Sequence, residues 1–449
     1  MQFELTKKFI EELSQAIAEG NDSFLLEKLE PLHPADIAEI LENTPTQEAR
    51  YIYNQLEEEL ASDVLVEMDE DFRERFLELF TEEEIAEQVD YMDTDDAADV
   101  IQYLSDERKE RVLSHIEDAA QASDIIDLLN YEEDTAGSIM AKEFIKVNEN
   151  WSVAVSIREM RKQAQEIEHV YNIYVVNDLN ILLGTLSLKS LLYASPRQLI
   201  KELYSPTVRS VKTTDSTEYV ANLMEKYDYV AVPVVNEEGV LLGRITIDDV
   251  VDVIKEEAEK DYQMASGISE SVESSDSVIT LSRARLPWLL IGMTGGILGS
   301  QIIGGFETQI QLYPKMAAFI PLVAATAGNV GVQAAAIVVQ AIANNTIHAQ
   351  TTSNKLMKEL GVAALNGVAC ALIIFFYNMM MGEPVKLALT VSVALISVIT
   401  FAGVFGTLIP LLLNSRKIDP AVATGPFITT MNDIFGLLQY FFIGWLIYF

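Results

Sequence analysis

Cysteine is nearly absent from these 449 residues: Cys370 stands alone inside an apolar run, which excludes an intrachain disulfide framework and a thiolate metal site within one chain. Histidine is almost as scarce, and His33, His115, His169 and His348 are scattered along the chain. No Ser, His and Asp constellation, phosphate loop or Cys and His metal cluster can be drawn, so an enzyme is not expected. Positive charge is short as well, with 31 Lys and Arg against 68 Asp and Glu and a formal net charge of −37. Such a surface repels nucleic acid phosphates and anionic headgroups and attracts cations, which makes metal ions the expected partners; a face kept soluble by its charge is the plain alternative. The opening MQFELTKKFIEELSQ is amphipathic and acidic, without a basic stub before an apolar core, and does not read as a signal peptide.

The charge that is present is unevenly placed. Residues 286–449 hold six basic residues and five acids (Glu307, Glu359, Glu383, Asp419, Asp433), so residues 1–285 carry a net charge of −38. Five apolar runs near 286–306, 316–343, 359–381, 387–413 and 421–448 are each long enough to cross about 30 Å of hydrocarbon. Arg283, Arg285, Lys355, Lys358, Arg416 and Lys417 fall on one side of these runs and only Lys315 and Lys386 on the other. The positive-inside rule then predicts a multi-pass cell-membrane protein with a cytoplasmic acidic part and an outside carboxyl terminus. Glycines of the first run and the small residues of the second suit close helix packing, and Asn329 and Gln333 have interhelical bonding as an alternative to a functional role.

Ahead of the membrane lie two repeat systems. Residues 1–133 show helical periodicity with recurring phrases, PADIAEIL at Pro34, ASDVLVEM at Ala61, TDDAADVI at Thr94 and ASDIIDLL at Ala122. A repeat of about 30 residues predicts stacked helix pairs in a superhelix, a binding scaffold. Beyond residue 134, VVNDLNILLGTLSLKSLL at Val175 recurs 59 positions later as VVNEEGVLLGRITIDDVVDVI at Val234, keeping Gly184 and Gly243 in register. Each copy reads strand, turn, strand, helix, and the pair resembles tandem cystathionine-beta-synthase (CBS) domains, which implies a regulatory module that often dimerises and often binds adenosyl nucleotides such as ATP. The expected fold class is multidomain: an all-α superhelical N domain (1–133), two α/β CBS domains (134–197 and 198–250), a linking helix to about Met264 with a Gly and Ser linker (251–284), and an α-helical transmembrane domain with five spans (285–449).

Within the last run, PFITTMNDIFGLLQYFFIGWLIYF carries a single formal charge, Asp433. A helix from Ala421 would put Asp433 about 18 Å from one end and about 24 Å from the other at roughly 1.5 Å per residue. An ionised Asp at that depth costs about 3 kcal/mol, so it needs a watery cavity, a proton, a symmetry mate or a cation. Pro426 and Gly425 are expected to free helical carbonyls there, and Thr429 and Thr430 add hydroxyl oxygens. An all-oxygen site suits a hard cation, and Mg2+, which dehydrates reluctantly, would be held through its waters. A neutral Asp bonded to a neighbouring helix is the structural alternative.

Taken in order, the acidic superhelix, the CBS pair, the linking helix, the five spans and the motifs PLVAATAGNVGVQ and DPAVATGPFITTMND make the chain resemble the MgtE family of magnesium channels. That resemblance implies a homodimer with its pore on the dimer axis, Asp433 as pore carboxylate, Thr429 at the selectivity turn and Asn329 in the Gly-Asn pore motif. It also implies regulatory Mg2+ held by Asp95 and Asp99, by Asp228 and Asp249, by Asp252, Glu257 and Asp261, and by Asp419 at the cytoplasmic mouth. On this reading the chain passes Mg2+ into the cytoplasm and is closed when cytosolic Mg2+ bridges the acidic domains. Mn2+, Co2+ and Ni2+ are further candidate ions. A cation/proton antiporter using Asp433 and a membrane-tethered metal or nucleotide sensor are the rivals.

Overall fold

The computed structural model describes residues 5–164, 167, 170–269, 272, 277–343, 352–423 and 425–448. His169, His348 and most of the Ser stretch at 270–276 lie outside the described residues. Two compact units divide the chain, Met1–Ile254 and Lys255–Phe449.

Ten short helices open the first unit, from α1 (Lys7–Glu19) to α10 (Ala119–Leu128). Their starts are written in the sequence: Thr6, Asn21 and Asp69 side chains cap α1, α2 (Asp22–Leu29) and α6 (Glu70–Leu77), and Thr81 with Glu84 closes a capping box on α7 (Glu82–Val89). The recurring phrases are α3 (Pro34–Glu42), α5 (Glu58–Val66), α8 (Thr94–Gln102) and α10. Helices pack on the second one before them, α3 with α5, α5 with α7, α7 with α9 (Asp106–His115) and α8 with α10. Polar bonds join positions about one repeat apart: Arg50 to Glu84 at 2.6 Å, Tyr53 Oη to Gln88 at 2.8 Å and Arg108 to the Phe80 carbonyl at 2.8 Å. Apolar residues at helical spacing thus pack against neighbouring repeats, and the stack forms one continuous core that runs on into the second CBS domain through residues such as Val220, Val232 and Ile245.

The CBS pair follows as two three-stranded sheets, β1 (Ile145–Asn148), β2 (Ile173–Val176), β3 (Leu182–Leu186) and β4 (Val211–Lys212), β5 (Ala231–Val235), β6 (Leu241–Thr246). In each sheet the first two strands are parallel and the last antiparallel. The 59-residue duplication holds down to the ladder: Gly184 faces Val175 and Gly243 faces Val234. Both glycines admit a crossing backbone, since a Cβ on Gly243 would lie 2.7 Å from the Ala141 carbonyl oxygen and one on Gly184 would overlap that of Ser205. The leading segment of each copy crosses to the other, Ala141 bridging Arg244 and Ser205 bridging Thr185. Two mated bonds join the copies, the Leu182 N–H to the Gly239 carbonyl and the Leu241 N–H to the Asn180 carbonyl, both 3.0 Å. After the sheets the copies part. Helix α11 (Val153–Gln163) matches α13 (Thr217–Tyr227), but α12 (Leu188–Tyr193) has six residues where α14 (Ile247–Ala265) has nineteen.

In the second unit α15 (Val278–Gly305) leads through α16 (Glu307–Leu312) and a 3-10 turn at Pro314–Phe319 to α17 (Ile320–Ala343), then α18 (Thr352–Met380), α19 (Val385–Ser415) and α20 (Gly425–Tyr448). Helix α19 is the hub, packed on α17, α18 and α20, with α15 laid on α20. Length and composition let α15, α17 with its preceding turn, α18 and α19 cross a membrane. Helix α20 matches α17 in length but carries Asn432, Asp433 and Gln439, so composition alone does not assign it as a span.

The start of the last helix corrects the sequence reading. It begins at Gly425 rather than Ala421, because Pro420–Ala423 form a 3-10 turn whose Ala421 N–H donates to the Asp419 carboxylate at 2.8 Å. Asp433 therefore lies eight residues, about 12 Å, from the helix start instead of near its middle. Pro426 sits in the first turn, where no helical N–H bond exists to be lost, so it frees no carbonyl. The Gly425 carbonyl is taken by the Thr429 hydroxyl at 3.0 Å.

Candidate functional site

Two groups of oxygen ligands stand out, one in each unit. In the first, the Asp93-Thr94-Asp95-Asp96 run enters α8 while Glu143 comes from the loop before β1. Glu143 is tied to that helix start by the Thr94 N–H (3.2 Å) and hydroxyl (2.9 Å), and the same hydroxyl accepts from the Lys142 N–H at 3.0 Å. Carboxylate oxygens of Asp93, Asp95 and Glu143 fall within 4.8 Å of one another, all half-buried. On the far rim Asp249, at the start of α14, accepts from the Thr246 N–H (3.0 Å) and hydroxyl (2.7 Å).

The electrostatics are those of a site short of positive charge. Burial, followed by the charges of Asp249, Asp96, Glu143 and Asp93, holds the Asp95 carboxyl well above the usual carboxylate range. Burial and the Asp249 charge push Asp96 up to about 8, and burial pushes Asp249 up to about 6 against the Thr246 bonds. Glu143 is raised by burial and by Asp93. Arg244 approaches Asp93 at 3.8 Å, too long for a firm hydrogen bond. A cluster so built takes up protons or a hard cation, and its all-oxygen donor set fits Mg2+ or Ca2+.

Of the regulatory acids read from the sequence, Asp95 and Asp249 are brought together. Asp99 stays one turn further along α8 with Gln102 donating to it at 3.2 Å. Asp228 is the left-handed cap of α13 and exposed; Asp252 is exposed on α14, and Glu257 pairs with Lys260 at 3.4 Å. Asp261 is half-buried on α14, and Asp419 caps the 3-10 turn. Asp93, Asp96 and Glu143 were not among the expected ligands. Asp93 and Asp96 had a local signal, acids before and inside a first helical turn, whereas Glu143 is 48 residues from Asp95 and had none.

In the second unit the pore candidates gather on α20 and α17. Glycines on α17 bring the helices close: at Gly328 a Cβ would lie 3.0 Å from Thr429 Cγ2 and 3.8 Å from Asp433 Oδ1. Asp433 thus lies along the Gly328 edge, one turn from Thr429, while Asn329 is exposed on the single chain. Gly425 and Pro426 meet the end of α14. Gly267, with φ +81°, closes the turn after that helix, and a Cβ there would lie 2.7 Å from Pro426 Cγ; one on Gly425 (φ +48°) would lie 2.6 Å from the Ala265 carbonyl oxygen. A second carboxylate, Glu359 on α18, packs against Gly403 of α19, which the sequence reading placed only at the edge of its span.

Comparison with known proteins places these features. The family model described as the MgtE intracellular N domain matches residues 32–134, the CBS domain matches 136–197 and 200–256, and the MgtE divalent cation transporter matches 320–443. The chain is 31% identical to "Magnesium transporter MgtE" of Thermus thermophilus over 97% of this chain and 98% of that protein. The chain belongs to the MgtE family. A Bacillus subtilis protein of the same name is 30% identical over 93% of this chain and 92% of its own length. Among solved structures, the cytosolic domain of the Mg2+ channel MgtE in complex with ATP is similar with a TM-score of 0.51 at 33% identity, covering 54% of this chain and 99% of that one. The soluble part of a magnesium transporter gives 0.50 at 30%, covering 56% and 99%. MgtE membership accounts for the order of N domain, CBS pair and helical membrane region.

Proposed function

We propose that this chain is a Mg2+ channel that carries the ion down its gradient into the cytoplasm and closes when cytosolic Mg2+ fills its acidic sites. The observation that carries the reading is the seat of Gly267 against Pro426, which joins the end of the linking helix to the start of the helix bearing Asp433. Asp433, with Thr429 one turn away and Asn329 on the facing helix, forms the ion path; Gly425 and Pro426 form the joint on which the linking helix acts. Two copies related by a two-fold axis would bring the exposed Asn329 face and Asp433 to a shared path, which supports a homodimer with α20 as its fifth span. The charge asymmetry of the loops supports cytoplasmic N and CBS domains and an outside carboxyl terminus.

Closure is driven at Asp93, Asp95, Glu143 and Asp249. Without a cation these carboxylates repel; with Mg2+ they are bridged, and the start of α14 is drawn toward α8. Asp99, Asp228, Asp252, Glu257, Asp261 and Asp419 are assigned to further regulatory ions by resemblance to the family. Shifting closed to open from 99:1 to 1:99 takes about 5.5 kcal/mol, which several weak sites share. The CBS pair is proposed to take an adenosyl nucleotide, supported by the ATP complex of the similar cytosolic domain. Mn2+, Co2+ and Ni2+ are proposed as competing ions.

Single-channel recording in a planar bilayer with Mg2+ as the sole permeant cation tests this. Discrete currents that shut as cytosolic-side Mg2+ rises, and that vanish in Asp433→Ala, are expected. Silence in both proteins together with Mg2+ uptake driven by a proton gradient in vesicles would replace the channel with a carrier.

A further inference from the structure

Asn432 is fully buried in α20, and neither its Nδ2 nor its Oδ1 has a hydrogen-bond partner among the described residues. An amide in that condition works against folding, because it has given up water and gained no bond. A residue that costs stability in the core of a membrane bundle calls for a role of another kind.

Its surroundings supply one. A methyl group on Gly331 of α17 would overlap the Asn432 amide nitrogen and lie 2.7 Å from Ile428 Cγ2. Gly331 is pressed from its other side by α19, where a Cβ on Gly406 would overlap the Gly331 carbonyl oxygen. Three helices meet there with two glycines in contact and the flat Asn432 amide in the notch. Successive side chains on a helix stand about 100° apart, so seating Asn432 in this notch decides where its neighbour points. That neighbour is Asp433, whose Oδ1 runs along Gly328, one turn from Gly331.

We infer that Asn432 is a positioning residue for the ion path: wedged at Gly331, it fixes the rotation of α20 and aims the Asp433 carboxylate along the Gly328 edge. The inference rests on the reading of Asp433 as the pore carboxylate. Its geometry, however, is tested independently of transport.

The experiment compares full-length wild type, Asn432→Ala, Gly331→Ala and the double variant, by melting temperature in detergent and by Mg2+ and Ca2+ uptake into vesicles. Gly331→Ala is expected to lower the melting temperature, and the double variant to recover much of that loss, because the added methyl then enters the emptied notch and only the contact with Ile428 Cγ2 is left to adjust. Asn432→Ala alone is expected to melt at or above the wild-type temperature while Mg2+ uptake falls about tenfold and the preference for Mg2+ over Ca2+ narrows. Wild-type uptake and preference in Asn432→Ala, or a loss of uptake only in step with a lower melting temperature, would reduce Asn432 to a packing residue. Failure of the double variant to recover would remove the wedge itself. A wild type that carries no Mg2+ would instead sink the pore reading, with the melting exchange still deciding the wedge.

Discussion

At Asp433 a single carboxylate is proposed to meet the permeating ion, so its length and charge should matter separately. Asp433→Asn is expected to lower Mg2+ uptake into vesicles by about 100-fold, the scale of losing one preorganised charge, and Asp433→Glu by less. At the cytosolic cluster the sign is different. Glu143→Gln removes one of the carboxylates that crowd Asp93 and Asp95, so the cation-free protein should melt higher while, in the proposed mechanism, closure needs more Mg2+, by about threefold to tenfold at the half-closing concentration. A titration of current against cytosolic-side Mg2+ checks the second arm, and scanning calorimetry the first. Asp433 stands out in the sequence because it is the charge in a run that otherwise lacks one. Asn432 was not, since an amide among Thr, Met and Asp carries no mark of burial. Glu143 was hidden for a different reason: the contact that defines it joins segments 48 residues apart, and one chain of letters holds no record of that meeting.

Among the elements, the register between the two CBS copies was legible in the sequence, whereas the first strand of each sheet, β1 and β4, was not. The 59-residue offset read from Val175 and Val234 is the offset of the two ladders, and the glycines kept in register are the places where backbone crosses backbone. Gly184→Val and Gly243→Val are each expected to destabilise the protein by about 2 to 4 kcal/mol, because the nearest obstructing atom at each is a main-chain oxygen that cannot rotate away. Circular dichroism melts of the two variants check that the penalties are alike. Helix boundaries were less legible. The apolar run of α20 suggested a start at Ala421, but Asp419 caps a tighter turn first, and the helix waits for Gly425 to turn left-handed. Gly267→Val, placed against Pro426 at φ +81°, is expected to leave Mg2+ conduction in place and to blunt its closure by cytosolic Mg2+.

For the whole molecule, the proposed metal site makes proton and metal compete for the same carboxylates. Asp96 near 8 and Asp249 near 6 lie above the unfolded carboxylate value of about 3.9. Groups raised in the folded state favour it while protonated, so this contribution is complete below about pH 4 and is lost as pH climbs through 6 and 8. In the absence of divalent cations the melting temperature should therefore fall by several degrees between pH 5 and pH 8. Millimolar Mg2+ should restore it, with a larger gain at pH 8 than at pH 5 and with protons released on binding. A gain independent of pH would place the stabilising ion elsewhere.

In the proposed mechanism the nineteen residues of α14, thirteen more than its duplicate α12, serve as a transmission shaft as well as a tether. A helix conveys rotation as faithfully as length: one inserted residue turns everything beyond it by about 100° and advances it by about 1.5 Å. An alanine inserted near Glu256 should therefore uncouple Mg2+ sensing from conduction, and an insertion of seven, which nearly closes two turns, should recover part of it. Coupling that rises and falls with helical phase, rather than simply decaying with added length, is what a shaft requires.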